Sequence, residues 1–242
     1  MSKRHMGEAN RMIYEEGLSK AEYINQFGKF SFLTISESLW FLGPIALCAA
    51  ALLIYVFIIW YRDWFGKNTF IYRLLMLPTS RMNVYLAKAS AIFLMVLGLI
   101  AFQLILFPID NLIFKGIIPS EFRYATDVRS LLTINPYFQL IIPTSFEQFL
   151  MSYGLGLLAV FVVFTAILFE RSFRIKGIVL GVLFCIAAMV IFLSPALILG
   201  LLHIDNYLYP VEFFMLELFM YLLMMGATLW VSHYLITKKV TV

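Results

Sequence analysis

Five stretches of this chain, each about 20 residues or longer, are built almost wholly from Leu, Ile, Val, Phe, Ala and Met, and a run of that length is what a helix needs to cross the hydrocarbon core of a bilayer. They run from Leu39 to Tyr61, Val84 to Phe107, Gln148 to Phe169, Gly177 to Leu202 and Val211 to Ile236. The remainder is too short for a soluble domain. A spanning segment has to satisfy its backbone groups internally. The expected fold is therefore an all-α polytopic membrane protein with five visible transmembrane helices. Hydrophobic residues make up 62% of the chain and charged residues 13%, against about 45–50% and about 25% in a soluble domain. Trp40, Trp60, Tyr61, Trp64, Tyr207, Tyr209, Trp230 and Tyr234 gather near the run ends, where an interfacial aromatic belt belongs.

Charge fixes the expected orientation. The net charge of +4 sits on lysines and arginines that flank the apolar runs, which is a membrane-orientation pattern and argues against nucleic acid as a partner. The loop after the first run carries Arg62, Lys67, Arg73, Arg81 and Lys88; the loop after the third carries Arg171, Arg174 and Lys176; the C-terminal tail carries Lys238 and Lys239. The opposite side holds Lys115, Arg123 and Arg129. With residues 1–38 set aside, ten against three places the C-terminus in the cytoplasm. Residues 1–38 then form a non-membrane segment on the outer side, ahead of a membrane domain over 39–242. They carry Lys3, Arg4, Arg11, Lys20 and Lys29 against five glutamates. Such a tail does not cross a bilayer unaided, so a span preceding it is expected; a tail left inside, with a strained first span, is the rival arrangement. The first thirty residues hold no apolar core of the kind a cleaved secretion signal needs.

The segment from Trp60 to Lys88, WYRDWFGKNTFIYRLLMLPTSRMNVYLAK, is more than a connector. Asn68 or Thr69 is suited to cap a short helix whose apolar face is Phe70, Ile71, Leu74 and Leu75. Pro78 ends that helix, because proline lacks an amide donor and disfavours helix in the residue before it. Thr79 or Ser80 then caps the next span. Order, positive charge and an apolar face together suit a surface that receives a partner.

The sequence of parts resembles ABC-2-type transporter permeases. The residues that carry the resemblance are Arg62, Asp63, Gly66, Leu77, Pro78, Ser80, Arg81 and Lys88, in that order between two spans, and the three later spans with their loop charges fit as well. The family has six spans, so the first would be missing here. The resemblance implies that the loop is a coupling element docking on a separate cytoplasmic ATPase subunit, through Arg62, Asp63, Gly66, Lys67, Phe70, Arg73, Leu74, Leu77, Pro78, Ser80, Arg81 and Lys88. It implies two permease subunits, alike or different, with two ATPases, and export of cargo across the cell membrane. The chain has no GxxxxGK[ST] phosphate loop, so ATP and Mg would belong to the partner and this chain would hold no cofactor and no metal.

Each residue has a plainer reading too. Arg62 and Asp63 either pair with each other or meet a partner at the interface, unless Arg62 only anchors the span to phosphate headgroups, and Arg73 meets either a partner carboxylate or a headgroup. Pro78 and Ser80 mark the helix break and the next start. Glu217 lies inside the last span, where an ionisable side chain is costly and by default functional; Glu212 before it suggests a wetted face leading inward. Gln103 is polar at depth and suits a bond across helices. Gly177 and Gly181 form a GxxxG step, Gly154 and Gly156 sit in the third span, and close helix packing accounts for them. Pro195 is expected to bend the fourth span. Pro108–Glu147 is expected to form short interfacial helices outside. Cys48 and Cys185 lie within apolar runs and pack as small apolar residues. His5, His203 and His233 are too scattered for a haem or zinc site.

The leading expectation is thus a nonenzymatic export permease moving an amphipathic cargo such as a peptide, a peptide antibiotic or a lipid-linked molecule. The alternatives are a membrane-bound enzyme or enzyme anchor, for which no catalytic cluster assembles, and a nontransporting immunity or assembly protein.

Overall fold

The computed structural model describes residues 7, 11, 19, 22, 24, 28–65, 76, 78–124, 138, 141–143, 145–201 and 209–239. Five long apolar helices dominate them: α1 (Leu39–Phe65), α2 (Arg81–Ile117), α3 (Phe146–Phe173), α4 (Ile175–Leu201) and α5 (Pro210–Tyr234). The chain is an all-α multi-pass membrane protein, with every one of the five long and apolar enough to cross a bilayer. The last helix ends in a π-helical turn, Leu235–Lys239.

The chain divides into two packing units, residues 1–51 with 96–144 and residues 52–95 with 145–242. The first is built around aromatic rings. Phe32, on the five-residue helix Phe32–Ser36, is buried with Phe107, Phe114, Ile118, Phe122 and Phe138. Ring centroids of Phe107 and Phe138 lie 4.9 Å apart and those of Phe32 and Phe107 5.4 Å, both edge to face, the geometry aromatic quadrupoles favour. Backbone bonds from the Phe30 amide to the Phe122 carbonyl and from the Tyr124 amide to the Phe30 carbonyl tie Phe30 to the segment that follows α2.

Here α2 departs from expectation. The apolar run stops at Pro108, yet the helix continues to Ile117. A proline removes one hydrogen bond, but Phe107, Phe114 and Ile118 continue the stripe that buries against the aromatic cluster, and burial outweighs the lost bond. The expected interfacial segment therefore begins ten residues late, with a 3₁₀ turn at Ser120–Phe122.

The second unit contains α3, α4 and α5 packed together with the facing ends of α1 and α2. A single residue, Arg174, joins α3 to α4, with φ 54° and ψ −129°. A side chain there costs on the order of 1–3 kcal/mol, and the turn holds because the two helices press together beyond it. A Cβ on Gly177 would stand 2.0 Å from the Phe169 carbonyl oxygen, and one on Gly181 2.8 Å from that of Ala166. The GxxxG step therefore packs backbone to backbone on α3, as its spacing leads one to expect. Gly154 likewise makes room for the Tyr221 ring, whereas Gly156 faces open space.

Pro195 does not break α4, which runs through it to Leu201. Proline at 195 leaves the carbonyl four residues earlier, that of Ile191, without its amide donor. The Ser194 hydroxyl donates to that carbonyl at 2.7 Å, which is how a membrane helix tolerates a proline. Ser194→Ala should lower unfolding stability in detergent by about 1–2 kcal/mol. In a Pro195→Ala background the amide returns, and the same change should cost close to nothing. A double-mutant cycle in denaturant measures the difference.

Candidate functional site

The residues singled out in the sequence lie around the segment that joins α1 to α2. Gly66, Lys67, Phe70, Arg73, Leu74 and Leu77 fall outside the described residues, as do the expected cap at Asn68 or Thr69 and the apolar face of the short helix. The two helix ends that bracket them are described in full side-chain detail up to Trp64 and from Pro78.

The end of α1 buries a stripe at helical spacing, Val56, Ile59, Trp60 and Asp63. The start of α2 buries the matching stripe Tyr85, Lys88, Ala89 and Ile92. The Lys88 ammonium bridges them. Its Nζ lies 2.8 Å from Asp63 Oδ2, donates to the Ile59 carbonyl at 3.0 Å and sits 4.0 Å above the Trp60 ring. Carboxylate, carbonyl and ring face together take up the three donors an ammonium has. Lys88 and Asp63 are both buried. They meet each other because both fall on the buried stripes of the two helix ends. Asp63 Oδ1 is 3.8 Å from Arg62 Nε, a loose contact, and the Arg62 side chain is 65% exposed.

Trp60 is part of the core here, not of an interfacial belt. It is 1% exposed and meets the rings of Tyr85 and Phe164 at 6.2 Å and 5.4 Å. Trp40 and Trp230, by contrast, are exposed as belt residues are. Tyr85 stacks on Phe161 and donates to its carbonyl at 3.1 Å. Thr165 donates to the same carbonyl at 2.7 Å and lies 2.7 Å from the Ser232 hydroxyl. A hydroxyl has one proton, so Ser232 must be the donor of that second bond, and α5 is tied to α3 through it.

A second polar knot joins α1 to α3. The Tyr61 hydroxyl donates to the Glu170 carboxylate, and the Arg171 guanidinium lies 5.0 Å from the Tyr61 ring and 5.3 Å from that of Trp64. At the far end of α5 the π-helical turn buries Leu235 and Ile236, and its Ile236 carbonyl accepts from Arg81 Nη1 at 3.3 Å. Lys239 lies 5.9 Å from the Phe173 ring. The last turn of α1 thus spends Trp60, Tyr61, Asp63 and Trp64 on other helices and leaves Arg62 facing outward. At the entry to α2, Pro78, Thr79 and Ser80 are exposed, with Ser80 directly before the first helical residue.

Gln103 is half-buried in the first packing unit and Glu217 half-buried in the second. The Glu212 carboxylate accepts from the Tyr209 amide at 2.9 Å and closes the start of α5, as a third-position glutamate does in a capping box. Cys48 and Cys185 are free thiols.

The sequence reading missed Tyr85, Thr165, Ser232 and the Tyr61–Glu170 bond. Tyr85 and Lys88 were detectable as one face with Ala89 and Ile92; the hydroxyl pairing leaves no sequence signal, since serine and threonine are ordinary in membrane helices.

Comparison of the chain with protein families, with curated proteins and with solved structures finds no match.

Removing one partner of a buried ion pair strands the other charge, at a cost of about 3–5 kcal/mol, while replacing both by apolar residues is often neutral. Lys88→Met should therefore destabilise the purified protein by about that much, and adding Asp63→Leu should recover most of the loss in the same unfolding assay.

Proposed function

We propose that this chain is the transmembrane permease subunit of an ATP-binding-cassette exporter, with residues 62–81 as the element that docks on a separate cytoplasmic ATPase. The observation that carries the reading is the contrast at the two helix ends: Asp63 and Lys88 are locked together inside, while Arg62, Pro78, Thr79 and Ser80 face outward. A loop that only connected two spans gains nothing from such anchoring. A loop that receives force from a motor does, because rigid ends pass displacement to the helices instead of absorbing it.

The order Arg62, Asp63, Gly66, Leu77, Pro78, Ser80, Arg81 and Lys88, similar to that of ABC-2 permeases, supports the same reading. So does the ten-to-three excess of basic residues, counted with residues 1–38 set aside, which favours a cytoplasmic side for this face and the C-terminus; the membrane in this reading is the cell membrane. Exposed Arg62 and Pro78 and the loop residues Lys67, Arg73 and Leu74 form the docking surface. Asp63 and Lys88 act behind it. ATP and Mg are held by the partner. A second permease subunit completes the pathway, and the cargo is an amphipathic molecule, since among the described residues no fixed charge pair is placed mid-span to select a small inorganic ion.

Arg73→Glu combined with Pro78→Ala should reduce co-purification of the ATPase and cargo-stimulated ATP hydrolysis by about tenfold or more, the loss expected when a charged docking contact is reversed. Unchanged complex formation and hydrolysis would refute the docking assignment.

A further inference from the structure

We propose that Asp63 and Lys88 are positioning residues: their ion pair, covered by the Trp60 ring, fixes the spacing of the two helix ends from which residues 66–80 spring, so that these facing ends of α1 and α2 move as one piece. The mechanical part of this proposal stands on geometry alone; its consequence for transport rests on the permease reading above.

Lys88 grips α1 at two points in one turn, the Asp63 carboxylate at 2.8 Å and the Ile59 carbonyl at 3.0 Å. Sliding one helix past the other by a single residue moves it about 1.5 Å along its axis and breaks both contacts together. Rotation lifts the ammonium off the Trp60 face. The ring contact of Trp60 with Tyr85, 6.2 Å between centroids, joins rings that can shift over one another without losing their attraction. Lipid offers no hydrophobic drive to hold two apolar helices in register. The ion pair is therefore the element that sets it.

Stability does not explain why charges occupy these positions, because a buried pair is often replaceable by apolar side chains at no loss. Register does. The best-attested use of a buried polar contact is to select one helix alignment among several of similar packing energy. The location fits that use. Asp63 lies two residues before the end of α1, Lys88 lies in the second turn of α2, and the outward-facing Arg62 is bonded directly to Asp63 in the chain. A push on Arg62 reaches the grip within one residue.

The test places nitroxide labels on Arg62→Cys and Ser80→Cys, both exposed, in a chain whose Cys48 and Cys185 are replaced by alanine. The distance distribution between them is measured in lipid nanodiscs by pulsed electron double resonance. The parent and Lys88→Arg, which keeps the charge and the reach, should give a narrow distribution. Lys88→Met with Asp63→Leu should keep its unfolding midpoint and yet broaden the distribution about twofold, since register is no longer selected. An unbroadened distribution in that variant would overturn the proposal and reduce the pair to replaceable packing. If the Met/Leu variant does not fold, Lys88→Gln with Asp63→Asn takes its place and the same comparison decides. The two readings fail separately. Broadening without any ATPase bound to the parent chain removes the permease reading and leaves the positioning role. A docked, hydrolysing complex with an unbroadened distribution does the reverse.

Discussion

One ammonium organises the best-described end of this molecule. Two apolar helices in a bilayer gain nothing from hiding their side chains from water, because lipid tails are as apolar as leucine. What holds them at one alignment has to be specific. Lys88 supplies that by reaching a carboxylate, a backbone carbonyl and an indole face on the last turns of α1. With its donors satisfied, the charge can be buried at tolerable cost. The alternative, an unpaired charge in the same place, would be expelled or would unfold the site.

The neighbouring contacts follow from that alignment. With Trp60 turned inward, Tyr61 and Trp64 fall on the side of α1 that meets Glu170 and Arg171 of α3. Tyr85, one turn before Lys88, reaches the Phe161 carbonyl, where the Thr165 and Ser232 hydroxyls bring in α5. The tight Arg174 turn and the bare backbone at Gly177 and Gly181 fasten α4 to α3. Polar contacts and small residues do the joining, as the physics of helix association in lipid requires, and the large apolar side chains of α4 are left exposed for the membrane.

Hydropathy made the five spans legible because the cost of exposing backbone to lipid leaves few other structures. It failed at Pro108, where a helix breaker was tolerated for the sake of an aromatic cluster assembled from residues far apart in the chain. Nor does it carry the burial of Asp63 and Lys88 as a pair. Charges near a loop read as outward-facing until their helical spacing is set beside the apolar residues around them: Val56, Ile59, Trp60 and Asp63 on one helix, Tyr85, Lys88, Ala89 and Ile92 on the other. Glu212 has a local role that its position at a span's start can carry, since its carboxylate serves the helix's own amides. Pairings between helices, such as Thr165 with Ser232, depend on tertiary alignment that no single-helix pattern encodes.

An anchored pair of helix ends with an arginine left outside makes mechanical sense if something outside pushes. The most direct measurement of that claim is site-specific photocrosslinking in intact cells, with a benzophenone amino acid in place of Arg62. The account predicts a covalent adduct with a nucleotide-hydrolysing cytoplasmic protein, lost when the cells are lysed in detergent before illumination only if the complex dissociates there. Adducts confined to lipid, or to a protein on the outer side of the membrane, would contradict it.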